Sequence, residues 1–184
     1  MIPRIQQADL PQKLANFLRP RIERLGYLGE FFQCTAHQPD ALLSFLEFTE
    51  HLKRALPNNL TEVVALSVAV MMQNDYEFNQ HQRLCLKLGF SPAWIAEIAK
   101  LSKGGSVMSE SEQLVQQLVV AVVERKGHDT NAELDAVTAA VGVSHSVAIL
   151  MLIGRYMSHA LIVNALNLAP PIPPAKENIH VSHP

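Results

Sequence analysis

The sequence predicts an all-α protein, a single domain of packed helices, and three observations point there. Apolar residues recur at helical spacing in segment after segment, as in Leu42, Leu43, Leu46 and Leu52. Short turn signals built on Gly, Pro and Asn separate those segments. No stretch shows the polar–apolar alternation of a strand with one buried face. Helices joined by short loops pack as antiparallel neighbours in a bundle. At 184 residues, one domain spanning 1–184 can bury a substantial core.

Taken in order, residues 1–38 read as an irregular lead-in holding one or two short helices, because Pro3, Pro11, Pro20, Gly26 and Gly29 punctuate it. PDALLSFLEFTEHLKRAL follows as a helix with Pro39 in its first turn. Pro57-Asn58-Asn59 reads as a turn, after which Thr61 or a neighbour caps a helix running to about Met72. The next begins near Asn74 and reaches Leu88, with Gly89 as its C-terminal cap. Ser91 and Pro92 supply N-cap and N1 for SPAWIAEIAK, a segment ended by Gly104-Gly105. Ser109 or Ser111 starts SESEQLVQQLVVAVVERKG, which closes at Gly127. AELDAVTAAVG stops at Gly142, and Ser144 opens SHSVAILMLIGRYMSHALIVNALNL. The Pro-rich tail, residues 169–184, is expected to be extended and to lie on a neighbouring subunit.

Hydrophobic residues make up 48% of the chain and charged ones 17%, which is globular and apolar enough to suggest buried subunit contacts. A net charge of −2 and a pI near 6.4 give no electrostatic case for binding nucleic acid or an anionic membrane. The N-terminal stretch lacks the apolar core of a signal peptide, so the expected compartment is cytoplasmic. In the last helix Arg155, Ser158, His159 and Asn164 interrupt the apolar run, which favours a buried or interface helix over a membrane span. Cys34 and Cys85 have no CxxC spacing, and no structural disulfide is expected of them. His37, His51, His81, His128, His145 and His159 are scattered, and His180 and His183 lie in the tail. No metal site is expected from that spacing.

The chemistry-bearing stretch is NDYEFNQH, Asn74–His81, which breaks the apolar run TEVVALSVAVMM. Glu77 and His81 stand at i,i+4 and share one helix face. A carboxylate beside an imidazole raises its proton affinity and fixes its tautomer, which suits a general base or proton relay near neutral pH. Glu62 precedes Glu77 by fifteen residues; in an unbroken helix the two would sit about 60° apart. With a break at Gln73–Asn74, Glu62 instead belongs to the preceding helix and can face the pair across the gap. The same residues also fit a capping box, Asn74-x-x-Glu77, with His81 topping an exposed turn. Cys85 lies four residues beyond His81, where an imidazolium would lower its pKa and make a peroxide sensor. Alternatively it is a small buried hydrophobe. Arg155 needs a partner, either an interhelical ion pair, with Glu62 for example, or a substrate carboxylate.

Glu62, YEFNQH (76–81) and LKLGFS (86–91), in that order, resemble the carboxymuconolactone decarboxylase family, which includes the alkyl hydroperoxidase D-like (AhpD-like) proteins. That family's hallmark is a Glu, a later Cys-x-x-Cys, and a His four residues after the second Cys. At matching spacing this chain has Glu62, then Asn74 and Glu77, then His81. The similarity extends from about residue 30 to residue 168, including IGRYMSHALIVNAL, and is specific over Glu62–Ser91. The resemblance implies an AhpD-like helical bundle forming a homo-oligomer, either a hexamer built as a trimer of dimers or a dimer. In the redox branch a thiolate attacks a peroxide and a second cysteine resolves the product, which Asn74 and Glu77 cannot do. The branch without cysteines implies cofactor-free, lyase-type proton transfer on a small carboxylated lactone or keto acid. His81 would move the proton, Glu77 orient it and Glu62 tune the pocket. Two other functions stay open: an antioxidant peroxidase working through Cys85 or Cys34, and a non-catalytic oligomeric binding protein.

Overall fold

The computed structural model describes residues 2–102 and 107–171. The described residues form helices and no strands: a 3-10 turn at Gln7–Asp9, then α1 (Gln12–Leu25), α2 (Glu30–Thr35), α3 (Pro39–Ala55), α4 (Asn58–Met71), α5 (Asp75–Lys87), α6 (Pro92–Ala99), α7 (Glu110–Glu124), α8 (Asn131–Val141) and α9 (Val143–Ala165). The all-α expectation holds. Gly104-Gly105, His180, His183 and nearly all of the tail lie outside the described residues.

The bundle is organised around α4. Every residue from Leu60 to Val70 is buried, as expected of a helix apolar on all sides except at Thr61, Glu62 and Ser67. It packs against α5, α6, α7 and α9, while α1 and α2 rest on α3. Two apolar clusters result. One surrounds α4 with Leu66, Ile95, Leu118, Ile149 and Leu152. The other joins α1, α2 and α3 through Leu14, Leu18, Phe31 and Leu46, and it also takes in Tyr76 and Val163.

Several boundaries differ from the sequence reading. Residues 1–38 are more ordered than expected, since α1 runs fourteen residues with Pro20 inside it. Pro57 is the N-cap of α4 rather than part of a free turn, so Thr61 lies within the helix and caps nothing. Its hydroxyl instead bonds the Pro57 carbonyl at 3.1 Å. Gly142, with φ +84°, opens α9 in place of Ser144. Other signals are met. Ser91 caps α6 through the Trp94 N–H, and Ser109 forms a full capping box with Glu112.

The α4–α5 junction positions the site. Gln73 adopts φ +51°, its N–H reaches the Val70 carbonyl at 3.0 Å, and the Asn74 N–H reaches that of Ala69 at 2.8 Å. This is a Schellman closure with Gln where Gly is usual. It turns the chain so that α5 folds back along α4. At the far end of α5, Gly89 takes the same left-handed role at φ +89°.

Candidate active site

Glu62 projects from the second turn of α4, and Glu77 and His81 project from the first two turns of α5. Glu62 Oε2 lies 2.5 Å from His81 Nδ1, and Glu77 Oε2 lies 3.2 Å from His81 Nε2. Each nitrogen of one imidazole thus meets its own carboxylate, all three groups being almost fully buried. Only half of the capping-box alternative is present. Asn74 Oδ1 accepts from the Glu77 N–H at 3.2 Å, but the Asn74 N–H is taken by Ala69. The Glu77 side chain is therefore free to turn inward, and His81 is not an exposed cap.

Two residues of α9 complete the cluster. His159 Nδ1 lies 2.9 Å from Glu77 Oε1, short but poorly aligned for a hydrogen bond, and its ring stacks near Phe31 at 4.0 Å. Arg155 is buried with its Nη1 3.7 Å from Glu77 Oε1, and its Nε donates to Thr49 Oγ1 at 2.8 Å. The expected ion-pair partner Glu62 is thereby replaced by Glu77. The guanidinium also stacks over the Tyr156 and Phe45 rings, at 4.3 and 4.9 Å.

Burial opposes charge on every member, and the pairing decides which charges survive. Burial pushes the Glu62 carboxyl up, but the His81 cation and its hydrogen bond bring it below the ordinary value. Burial likewise acts upward on Glu77, where His159 and His81 hold the carboxyl well below that range. For His81 burial acts downward, yet Glu62 and Glu77 together raise it. For His159 burial dominates and the ring is held below its usual value, with Arg155 and His81 adding to the effect. These directions favour carboxylates at Glu62 and Glu77, the protonated ring at His81 and the neutral ring at His159.

Of the two readings of Cys85, the small buried hydrophobe fits the structure and the activated thiol does not. Cys85 is completely buried and donates to Glu62 Oε2 at 3.6 Å. Burial and that carboxylate push its pKa up, so it is a thiol at neutral pH. Burial also raises Cys34, and both cysteines are unbridged.

A cavity of about 480 Å³ opens onto Glu77, His81, Tyr156 and His159, while Glu62 stands behind His81, outside its lining. Six of its described lining residues are cationic, Arg21, Arg24, Lys53, Arg83, Lys87 and Arg155, against the one carboxylate of Glu77. Arg21, Arg24, Tyr27, Gly29 and Phe32 come from the first 38 residues, which the sequence reading treated as a lead-in. Gly29 is needed there, because a Cβ at this position would stand 2.8 Å from Tyr76 Oη. His159, Tyr156 and Arg21 were missed as site residues. For His159 and Tyr156 the available signal was the cluster of polar side chains in the apolar last helix, and for Arg21 there was none. Among the described residues no group of three or more His, Cys, Asp or Glu has a metal-binding arrangement.

The fold is shared with solved structures. The described chain superposes on an uncharacterised peroxidase-related protein with an alkylhydroperoxidase AhpD core from Ralstonia eutropha JMP134. The TM-score is 0.79 at 14% identity, covering 91% of this chain and 90% of the other. The debrominase Bmp8, solved as a cysteine-to-alanine variant with 2,3,4-tribromopyrrole, matches with a TM-score of 0.80 at 13% identity over 92% and 90%. A protein of unknown function from Agrobacterium tumefaciens matches at 0.68 and 16% identity over 76% and 96%. No curated protein matches the sequence. Residues 39–102 match the model of the Carboxymuconolactone decarboxylase family, the stretch that carries Glu62, Glu77 and His81. Over that stretch the chain is similar to the family that the residue pattern resembles, and its described residues share the fold of the AhpD-like structures.

Proposed function

We propose that the protein is a cofactor-free acid–base enzyme of lyase type acting on a small carboxylated keto acid or lactone. The observation that carries this is the Glu62–His81–Glu77 chain ending in a cavity whose wall is cationic. A cationic wall recruits an anionic substrate and repels cations. The roles differ from the sequence expectation in one respect. Glu62, sealed behind the ring, orients His81, while Glu77 faces the substrate.

His81 stores a proton on a ring held between two carboxylates. When CO2 leaves, the bonding electron pair passes to the substrate carbon or its conjugated oxygen. The proton moves from His81 Nε2 through the Glu77 carboxyl to that carbon, and the imidazole regains a proton from water. Proton transfer by positioned groups of this kind contributes roughly 10²–10⁴-fold. A thiol peroxidase needs an accessible thiolate, and the environment of Cys85 gives that reading no support.

The test is a screen of β-keto acids and carboxylated lactones for CO2 release by the wild type and by His81→Gln. At least a hundredfold lower kcat in the variant is expected on any substrate found. Equal kcat in the two proteins would remove His81 from the reaction.

A further inference from the structure

Tyr156 lines the same cavity on α9, beside Arg155, and is 2% exposed. Its hydroxyl is buried and has no hydrogen-bond partner among the described protein groups. A buried hydroxyl without a partner carries a desolvation penalty, and in a binding cavity that penalty is relieved when a ligand supplies an acceptor. The ring is fixed. Its plane stands at 82° to that of His81 with centroids 5.2 Å apart, and the Arg155 guanidinium lies over it at 4.3 Å. A donor held this rigidly next to the proton-carrying imidazole is placed to meet an oxygen of whatever molecule His81 serves.

We propose that Tyr156 Oη is an oxyanion subsite: it donates a hydrogen bond to the substrate oxygen that becomes negative, so the cavity binds enolate- and phenolate-type anions. The proposal rests on the acid–base reading for its catalytic meaning, but not for its binding chemistry. In a decarboxylation the departing carboxylate leaves its electron pair on carbon, and a carbonyl conjugated to that carbon takes the charge on oxygen as an enolate. A donor aimed at that oxygen acts most strongly where charge develops. Burial first, then Glu62 and Glu77, push the Tyr156 hydroxyl well above its ordinary range against the opposing effect of Arg155. The group therefore stays protonated and serves as donor rather than base. The cationic guanidinium over its face adds long-range attraction for the same charge.

The experiment is a titration of the intact protein with p-nitrophenol and a series of less acidic phenols. Phenolate absorbance is read at a pH below each phenol's own pKa. Wild type is expected to bind the phenols ionised, and Tyr156→Phe, which keeps the ring, to bind them about tenfold or more weakly. Binding of p-nitroanisole, which cannot ionise, is expected to change by less than about twofold. Phenolate affinity within about twofold of wild type in Tyr156→Phe, or uptake of the phenols by wild type only in neutral form, would overturn the proposal. Should Tyr156→Phe fail to fold, the wild-type series decides. Affinity must rise with phenolate basicity, and a flat series rejects the hydrogen bond. Phenolate binding that depends on Tyr156, in a protein that decarboxylates none of the acids screened, would keep the subsite and remove the lyase reading.

Discussion

His81 holds its proton because Glu62 and Glu77 outweigh its burial, and Glu62 is the larger influence of the two. Its folded pKa therefore lies above the ordinary 6.5, and the protonated form is lost as pH rises through that raised value. Activity that depends on the stored proton is accordingly expected to fall on the alkaline side. In Glu62→Gln the carboxylate that does most to raise His81 is gone, so the alkaline limb of kcat/KM should move to lower pH. A limb that stays in place would assign the proton to another group. At this scale the sequence was most informative where spacing alone fixes proximity, as for Glu77 and His81 at i,i+4. It marked the polar cluster of α9 but not its place, because the nearness of His159 and Tyr156 to Glu77 exists only after α9 has packed on α4 and α3. Arg155 shows the same limit. Its need for a partner was legible, but the partner, Glu77, was not.

Helix ends were legible where a side chain makes the cap or a glycine turns left-handed, as at Gly89, and obscure at Pro57, Pro20 and Gly142. Ser91 and Ser109 bond N–H groups three residues on, an arrangement that the residue types announce. Pro57 and Gly142 begin helices with no side-chain cap, and Pro20 falls within α1, so proline and glycine signals were read as interruptions that the packing overrides. The Ser109 cap has wider reach than a single turn. Glu112, its partner in the box, also accepts from Asn59 Nδ2 at 2.8 Å and from Trp94 Nε1 at 3.3 Å, tying α7 to α4 and α6. Ser109→Ala is expected to lower stability by about 1 kcal/mol in urea denaturation while leaving the cavity untouched. A change near zero would show that Glu112 holds α7 without the hydroxyl.

α9 is long and apolar enough to cross a membrane by composition, yet Arg155, Tyr156 and His159 are buried on its inner face against the site. Its outer face presents Val143, Val147, Met151 and Leu161, all exposed, with Gly154 and Ser158 between them. Those six positions are spaced three or four residues apart, as along a helix–helix seam. A second copy of the chain is expected there, in keeping with the oligomer that the residue pattern implied. Light scattering should give a multiple of the 20.4 kDa chain mass, and Val147→Glu should reduce it toward one chain. A protein that already runs as a single chain would refute the seam.

The cavity wall draws on three separate stretches of chain, α1 to α2, α3 to α5, and α9. The proton-handling groups of α4 and α5 lie inside the family-matched residues 39–102, whereas the arginines and aromatic groups of α1 and α2 lie outside them. Reaction type and substrate choice can therefore diverge independently. A related chain could inherit the relay intact while rewriting residues 21–32, and it would then perform the same step on a different molecule.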